Sequence, residues 1–310
     1  GKLVIYTFTQ TPDTAVYFLR EAFERRYPEI TVEFVMRSVA ATISSFIDDF
    51  NKGVKRADVI SLGKTAFLDI LRAAPNSLAP YVPKNSEWLP AELKASDGKW
   101  VSPSTSLYGI GYNTRLVPRA EAPKLYTDLL DPKWKGKIIM VDPKTSTVQA
   151  AIWKTMEKQY GEDFIRKLAA QNIKFYVAAD AISKLVAGEF PIYLNTLIST
   201  FESSKIGGDP VDWVRQGDNI TLTQPVCSGI SANAPHPNAA KLFADFLISK
   251  EGQQIYADRG SIPNMAGLRM PNPDLSTQGK KLIQLEEVPE AERNAFLAAF
   301  SAKYNLGFPP

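Results

Sequence analysis

The sequence predicts an α/β protein whose sheets are mostly parallel. The first sixty residues alternate short β-rich runs with helical periodicities in the order β-α-β-α-β, which is typical of a parallel sheet covered by helices. A second alternation of the same kind begins near residue 137. With 310 residues, of which 45% are hydrophobic, the chain has enough apolar material for about two domains.

The first alternation consists of five elements. In chain order they are a strand at 3–8, a helix that starts at Pro12 after Thr11 as its N-cap and ends before Pro28, an alternating strand at 30–34, a helix at 43–50 and a buried strand at 57–61. Ligands of parallel α/β sheets bind beyond the carboxyl ends of the strands. Those ends fall at 7–11, 37–40 and 62–65.

The second alternation follows a proline-rich stretch at 75–103 and an extended segment that contains Gly109 and Gly111. Its predicted elements are strands at 137–141, 173–177 and 190–194, helices at 148–156 and 182–186, a strand at 229–232, an amphipathic helix at 239–247 and a helix-forming tail at 276–304. The strand at 229–232 is expected to return to the first sheet.

Composition excludes several classes of function. Lys plus Arg number 36 and Asp plus Glu 33, so the net charge of +3 predicts no nucleic-acid partner. One cysteine, Cys227, and one histidine, His236, exclude an intramolecular disulfide and a multi-Cys or multi-His zinc site. His236 lies between two prolines before a helical pattern, which predicts a solvent-facing helix start. We therefore expect no catalytic residue, no metal ligand and no cofactor.

Four stretches of the chain together resemble a known family. They are Leu3-Val4-Ile5-Tyr6-Thr7, Arg56-Ala57-Asp58-Val59, the pair 108–114 and 126–137, and the segment 239–254, which ends in Glu251-Gly252-Gln253-Gln254. In these stretches the chain resembles the substrate-binding proteins of ABC transporters with the type 2 periplasmic fold, among the family 1 extracellular solute-binding proteins. The resemblance covers nearly the whole chain. Within the family, the chain is most similar to the branch that contains ferric-ion, phosphonate and phosphosugar binders.

The resemblance implies two α/β lobes joined by two crossing strands. Lobe 1 would comprise 1–103 plus 225–268, and lobe 2 would comprise 104–224 plus 269–310. A monomeric protein would capture one small solute between the lobes by hinge closure and deliver it to a membrane permease. A periplasmic or extracytoplasmic location is implied, with Gly1 exposed by removal of a signal peptide. A cytosolic protein that lost its first Met is the alternative.

One candidate binding segment is the polar loop before the helix at 148–156. Thr145, Ser146 and Thr147 lie where free N–H groups and the positive end of the helix dipole suit an anion. The alternative is an ordinary helix cap with nothing bound. In the resembling family the corresponding loop often contacts an anion, which favours the binding interpretation.

The other candidates follow strand ends or precede the second alternation. Lys64 and Arg37 could supply positive charge, and Thr65, Thr9, Gln10 and Asn195 could supply hydroxyl or amide groups. Tyr108 could stack on the ligand or donate a hydrogen bond. For each of these the alternative is a solvated surface, capping or core role.

Three departures argue against direct ferric binding. Ferric-binding relatives carry two adjacent tyrosines after the strand equivalent to 190–194, where this chain has Asn195 and Thr196. They often carry a His where this chain has Gln10, and a Glu where it has Gly63 and Lys64. We therefore expect an anionic organic solute, such as a phosphonate, phosphate ester or carboxylate.

Two alternatives to this function stay open. A ferric-ion binder that uses a synergistic anion is the first. A carboxylate-based enzyme is less favoured, because such an enzyme needs two carboxyl groups about 5 to 10 Å apart. Asp13, Asp142 and Asp180 lie in candidate loops, but no spacing pairs them.

Overall fold

The chain forms two compact units in the computed structural model, which describes residues 1–8, 15–214, 220–276 and 281–308. The first unit comprises Gly1–Ser106 with Gln224–Ser276, and the second comprises Leu107–Thr223 with Thr277–Pro310. Each unit has its own set of parallel strands within one twelve-stranded sheet, and its own apolar core. Two long strands, Val101–Asn113 and Ile220–Ser231, run from one unit into the other.

The elements are numbered in chain order. The strands are β1 Lys2–Phe8, β2 Thr31–Arg37, β3 Val59–Gly63, β4 Leu78–Ala79, β5 Val101–Asn113, β6 Ile138–Val141, β7 Lys174–Tyr176, β8 Ile192–Leu197, β9 Val211–Trp213, β10 Ile220–Ser231, β11 Ile262–Pro263 and β12 Lys281–Gln284. The α-helices are α1 Ala15–Arg26, α2 Val39–Asn51, α3 Lys64–Ala73, α4 Thr147–Tyr160, α5 Glu162–Ala169, α6 Ala178–Ala187, α7 Ile198–Ile206, α8 Pro237–Ile248, α9 Lys250–Asp258 and α10 Glu290–Tyr304. No helix among these described residues is long and apolar enough to cross a membrane.

The sheet of the first unit has the order β2-β1-β3-β10. β1 pairs in parallel with β2 and β3, and the second half of β10 runs antiparallel to β3, with Ile60 opposite Gly229. The prediction that a strand near residue 229 joins the first sheet is therefore confirmed. Strand β3 begins at Val59 rather than at the predicted residue 57.

Apolar residues cover both faces of this sheet. Alternate side chains of β1 point to opposite faces, so Leu3 and Ile5 pack in one cluster while Tyr6 packs in the other. Phe23 lies in the first cluster and Phe67 in the second. Burial on both faces explains why β1 and β3 are nearly continuous apolar runs, whereas β2, which is more exposed, alternates.

Two polar residues of the resembling stretches stabilise the first unit. Asp58 is fully buried and accepts hydrogen bonds from Val4 N at 2.8 Å and His236 N at 2.6 Å. The Nδ1 atom of His236 lies 3.1 Å from the same carboxylate. Asp58 therefore joins β1 to the start of α8, and His236, whose side chain is 40% exposed, faces both solvent and Asp58.

A second polar stabiliser is Gln253 on α9, which is fully buried. Its amide donates to Pro103 O at 2.7 Å and Leu247 O at 2.8 Å. Its carbonyl accepts from Asn264 N at 2.9 Å and Met265 N at 3.0 Å. Gln253 thus holds α8, the start of β5 and the segment after β11 together.

The sheet of the second unit has the order β5-β8-β6-β7. β6 is parallel to β7 and β8, whereas β5 is antiparallel to β8. Helix α4 contributes apolar side chains to the core of this unit. Its Trp153 contacts Phe300 of α10, with ring centroids 5.7 Å apart. The start of β10 pairs with β12 in parallel, which incorporates the C-terminal segment into this unit.

Several features differ from the predicted elements. Helices α3, α5, α7 and α9 were not predicted, although Phe164, Ile165 and Leu168 of α5 are buried at helical spacing. The tail predicted to be helical at 276–304 contains the strand β12, which pairs with β10, and among its described residues it is helical only in α10. The strand predicted at 190–194 is β8, which extends to Leu197 and therefore includes Asn195. Asn195 adopts φ +54°, and the register with β5 shifts at this point, so it is the extra residue of a β-bulge.

Candidate functional site

The carboxyl ends of the parallel strands in the first unit bring the predicted cations to one edge. β1, β2 and β3 end at Phe8, Arg37 and Gly63, and helices α2 and α3 begin directly after β2 and β3. Thr9 and Gln10, which were predicted to contact a ligand, lie outside the described residues. The remaining candidates of this unit lie in α3 or at the end of β2.

Neither cation at this edge is neutralised by a described carboxylate. Lys64 is half-buried, and its Nζ lies 5.7 Å from the centroid of the Trp100 ring. Arg37 is exposed and donates to Ser45 Oγ at 2.5 Å. Neither side chain forms an ion pair within the described part of the chain. The edge therefore carries positive charge that an anionic ligand could neutralise.

Within the described residues, the start of α3 has no cap from the side chain of its N-cap residue. Helix α2 is capped by Ser38, whose hydroxyl accepts from Ala41 N at 3.3 Å, but the N-cap of α3 is Gly63, which has no side chain to accept. The first N–H groups of α3 are therefore without a side-chain cap. Such a helix start favours negative charge.

Thr65 lies at this helix start but is already hydrogen-bonded. It is 3% exposed, and its hydroxyl accepts from Gln224 Nε2 at 2.7 Å. A Cβ added at Gly63 would collide with Gln224 Oε1, so a larger residue there would displace the Gln224 amide. Sequence reasoning missed Gln224, because its approach to Gly63 depends on the pairing of β10 with β3. Contact between Thr65 and a ligand stays a prediction.

The second unit also has helix starts at the carboxyl edge of its parallel strands. β6, β7 and β8 are followed by α4, α6 and α7. Their N-cap residues are Ser146, Val177 and Leu197. Within the described chain, none of these three side chains accepts a hydrogen bond from a backbone N–H group of its helix. The positive ends of three helix dipoles therefore point to one edge of this sheet without side-chain caps.

The predicted loop before α4 is held in a tight turn. Asp142 Oδ1 accepts from Lys144 N at 2.9 Å, and the Thr145 hydroxyl donates to Asp142 O at 2.9 Å. Ser146 is the N-cap of α4 and Thr147 its first residue, and both are half-buried. The structure therefore brings Thr145, Ser146 and Thr147 to a helix start, and their contact with an anion stays a prediction.

Tyr108 and Asn195 lie in the core of the second unit. Tyr108 is 6% exposed, and burial raises the pKa of its phenol. Asn195 is fully buried, accepts a hydrogen bond from Tyr126 OH at 2.6 Å and donates to Met156 Sδ at 2.8 Å. It does not follow β8, as the sequence predicted, because the bulge keeps the strand paired beyond it. These contacts give the Asn195 side chain a structural role, and its contact with a ligand stays a prediction.

Two of the candidate acidic residues, Asp142 and Asp180, lie before or within the starts of the helices that follow the parallel strands β6 and β7. Among the described residues, no group of three His, Cys, Asp or Glu side chains is placed to hold a metal ion. Asp180 lies in the first turn of α6, and Asp13 lies outside the described residues. A small cavity of about 10 Å³ near Trp100 and Gly229 is mostly apolar and large enough only for a water molecule.

Comparison of the sequence with known proteins identifies relatives. Residues 56–279 match the model of a family described as bacterial extracellular solute-binding protein. An uncharacterised protein of Haemophilus influenzae is 26% identical over 282 residues, which cover 84% of this chain and 76% of that protein.

Comparison of the fold identifies solved structures that are similar over almost the whole chain. The substrate-binding protein of an ABC transporter from Agrobacterium tumefaciens has a TM-score of 0.82 at 18% identity, covering 98% of this chain and 94% of that one. The periplasmic binding protein AfuA from Actinobacillus pleuropneumoniae, with exogenous fructose-6-phosphate bound, has a TM-score of 0.73 at 22% identity and 99% coverage of both chains. Iron-bound HitA from Pseudomonas aeruginosa has a TM-score of 0.72 at 19% identity, also with 99% coverage of both chains. These similarities confirm the predicted two-lobed periplasmic binding-protein fold.

Proposed function

The chain belongs to the bacterial extracellular solute-binding proteins, and from this premise we propose that it captures a small anionic organic solute for an ABC importer. The family implies a small-molecule ligand, a membrane permease as partner and a periplasmic or extracytoplasmic location. Its members are binding proteins rather than enzymes, and we propose that this chain is a monomer without catalytic activity. The two compact units would act as the two lobes that the sequence predicted.

The observation that carries this proposal is the pair of cations at the carboxyl edge of the first sheet. Lys64 and Arg37 have no acidic partner among the described residues, and the start of α3 beside them is uncapped. A phosphonate, phosphate ester or carboxylate would neutralise both features at once. AfuA, which shares the fold, was solved with a sugar phosphate bound, and this supports a phosphate ester as one class to test.

Ferric ion held with a synergistic anion is the second candidate function. The similarity in fold to iron-bound HitA favours it. Lys64 opposes it, because an ammonium group repels a trivalent cation. Burial raises the pKa of Tyr193 to about 12, which disfavours a tyrosinate ligand at that position.

Calorimetry on metal-stripped protein tests the proposal. The ligands are inorganic phosphate, glycerol 3-phosphate, methylphosphonate, citrate, and ferric ion with and without citrate. Lys64→Gln should weaken binding of the organic anion by at least tenfold, because it removes one charge-assisted hydrogen bond of about 1.5–3 kcal/mol.

Lys241→Gln is the matched control. Lys241 also lies over an aromatic ring, 5.8 Å from the centroid of Tyr81, but it belongs to α8 rather than to the strand-end edge. It should leave the affinity within about twofold of the parent. Binding of ferric ion alone, or equal affinities for Lys64→Gln and the parent, would contradict the proposed function.

A further inference from the structure

The amino ends of the parallel strands in the second unit carry a cluster of exposed basic side chains. β6, β7 and β8 begin at this edge, and β5, which is antiparallel to β8, ends there. We call this surface the basic edge, and its exposed cations are Arg115, Lys133, Lys135, Lys137 and Lys174. It lies at the opposite end of the strands from the starts of α4, α6 and α7, where the candidate ligand site of this unit lies.

Strand pairing brings the segments of the basic edge together. Ile139 of β6 pairs with Lys174 of β7, so Lys137 lies two residues before a paired position. Arg115 follows the end of β5, where its backbone N–H donates to Asn113 Oδ1 at 2.9 Å. Cations from three segments that are distant in sequence therefore share one edge.

The basic edge has more cations than carboxylates. Residues 114–137 and 171–174 contain seven Lys or Arg and three Asp or Glu. Within the described chain, none of the five cations of the basic edge forms an ion pair with a carboxylate. The edge therefore has a positive potential that the small net charge of the whole chain conceals.

Acidic side chains that flank the basic edge are already engaged by other groups. Glu189, just before β8, pairs with Lys184 at 2.6 Å. Asp212 of β9 pairs with Lys205 at 3.1 Å, and Asp209 accepts a hydrogen bond from a serine hydroxyl. These carboxylates consequently leave most of the positive charge of the edge in place.

The cations of the basic edge suit a surface that presents many anionic groups. Lysine ammonium groups are hydrated point charges without the fixed fork of a guanidinium, and within the described chain Nζ of Lys135 and of Lys137 donates to no acceptor. Leu116, beside Arg115, is 49% exposed and could enter an apolar layer. Basic residues around an exposed apolar side chain are typical of proteins that adsorb to anionic bilayers.

We propose that the basic edge binds the headgroups of an anionic phospholipid membrane. Adsorption to the bilayer raises the concentration of the protein beside a membrane permease without any contact between the two proteins. This inference concerns a different edge from the proposed solute site, and its test needs no solute. Either proposal can therefore fail while the other holds.

Co-sedimentation of the full chain with vesicles tests this inference. The vesicles contain equal parts of phosphatidylglycerol and phosphatidylcholine, and pure phosphatidylcholine vesicles are the reference. The protein should bind only the anionic vesicles at about 20 mM NaCl and should be released at about 200 mM, because salt screens exposed charges. The triple variant Lys133→Gln, Lys135→Gln, Lys137→Gln should partition more than about tenfold more weakly, since each lysine near an anionic surface contributes about fivefold.

A second triple variant is the matched control. Lys84, Lys241 and Lys250 are exposed lysines of the first unit, and none has an ion pair among the described residues. Their replacement by Gln removes the same net charge and should change the partition by less than about twofold. Leu116→Ser should weaken binding while leaving its salt dependence unchanged, because it removes only the apolar contact.

Three results would overturn the inference. They are absence of binding to the anionic vesicles, an equal loss in the two triple variants, and binding of soluble polyglutamate without binding of vesicles, which would assign the edge to an acidic protein partner. The melting temperature of the edge variant should equal that of the parent, because the three side chains are exposed. If it fell, Lys135→Gln alone should still lower the partition by about fivefold.

Discussion

Replacing Gln253 by Met should destabilise the first unit strongly. The side chain is fully buried and makes four hydrogen bonds, to Pro103 O, Leu247 O, Asn264 N and Met265 N. Methionine has a similar volume, so it creates little cavity, and the loss comes from the unpaired polar groups.

The magnitude follows from the exposure of the four partners. A net hydrogen bond contributes about 1 kcal/mol, and the two carbonyl partners belong to buried residues that water cannot reach. The two N–H donors belong to half-buried residues and can recover part of the loss from water. We therefore expect the free energy of unfolding to fall by about 3 kcal/mol, and the melting temperature by roughly 6–12 °C.

Urea unfolding followed by circular dichroism measures the effect, and the next residue supplies the control. Gln254 is on the same helix turn, but its amide hydrogen bonds, to Asp258 Oδ1 and Arg269 O, are exposed. Gln254→Met should cost less than about 0.5 kcal/mol. If Gln253→Met and Gln254→Met lost the same free energy, the structural role given to the Gln253 amide would be refuted.

Two further predictions concern backbone strain and pH. Asn195→Ala should be about 1–2 kcal/mol less stable than Asn195→Gly. Both variants lose the hydrogen bond from Tyr126, but only alanine has a Cβ that disfavours the left-handed backbone conformation at this position. Equal urea midpoints for the two variants would contradict this prediction. Burial and the hydrogen bond to Asp245 raise the pKa of Tyr81 from 10.0 to about 12, so the unfolded chain ionises first and stability should be lost as the pH rises from 10 to 12. Other buried tyrosines contribute to the same loss, so Tyr81→Phe should reduce, without abolishing, the fall in urea midpoint measured between pH 9 and 11; an unaltered slope would exclude Tyr81 as a contributor.

Much of the fold was predictable because its signals are local. The apolar run of β1 and the helical spacing of Leu19, Ala22 and Phe23 in α1 depend on neighbours in sequence alone. One glycine in the segments that resemble the family also has a local structural explanation. A Cβ at Gly252 would collide with the Phe246 carbonyl oxygen, so the turn from α8 into α9 requires glycine.

The candidate site was less predictable because it depends on pairings between distant segments. The bulge at Asn195 is defined by the pairing of β8 with β5. No local sequence pattern predicts a buried residue with a left-handed backbone conformation. Gln224 reaches Thr65 only because β10 pairs with β3.

The pairing of Ile60 with Gly229 has a consequence for biosynthesis. On the ribosome, β3 emerges early, but its antiparallel neighbour is translated only after nearly the whole second unit. The first unit therefore cannot close its sheet until most of the chain has been made, and loop closure over this distance slows folding. The nascent N-terminal segment consequently leaves the ribosome as an incomplete sheet, with one side of β3 available to chaperones until β10 arrives.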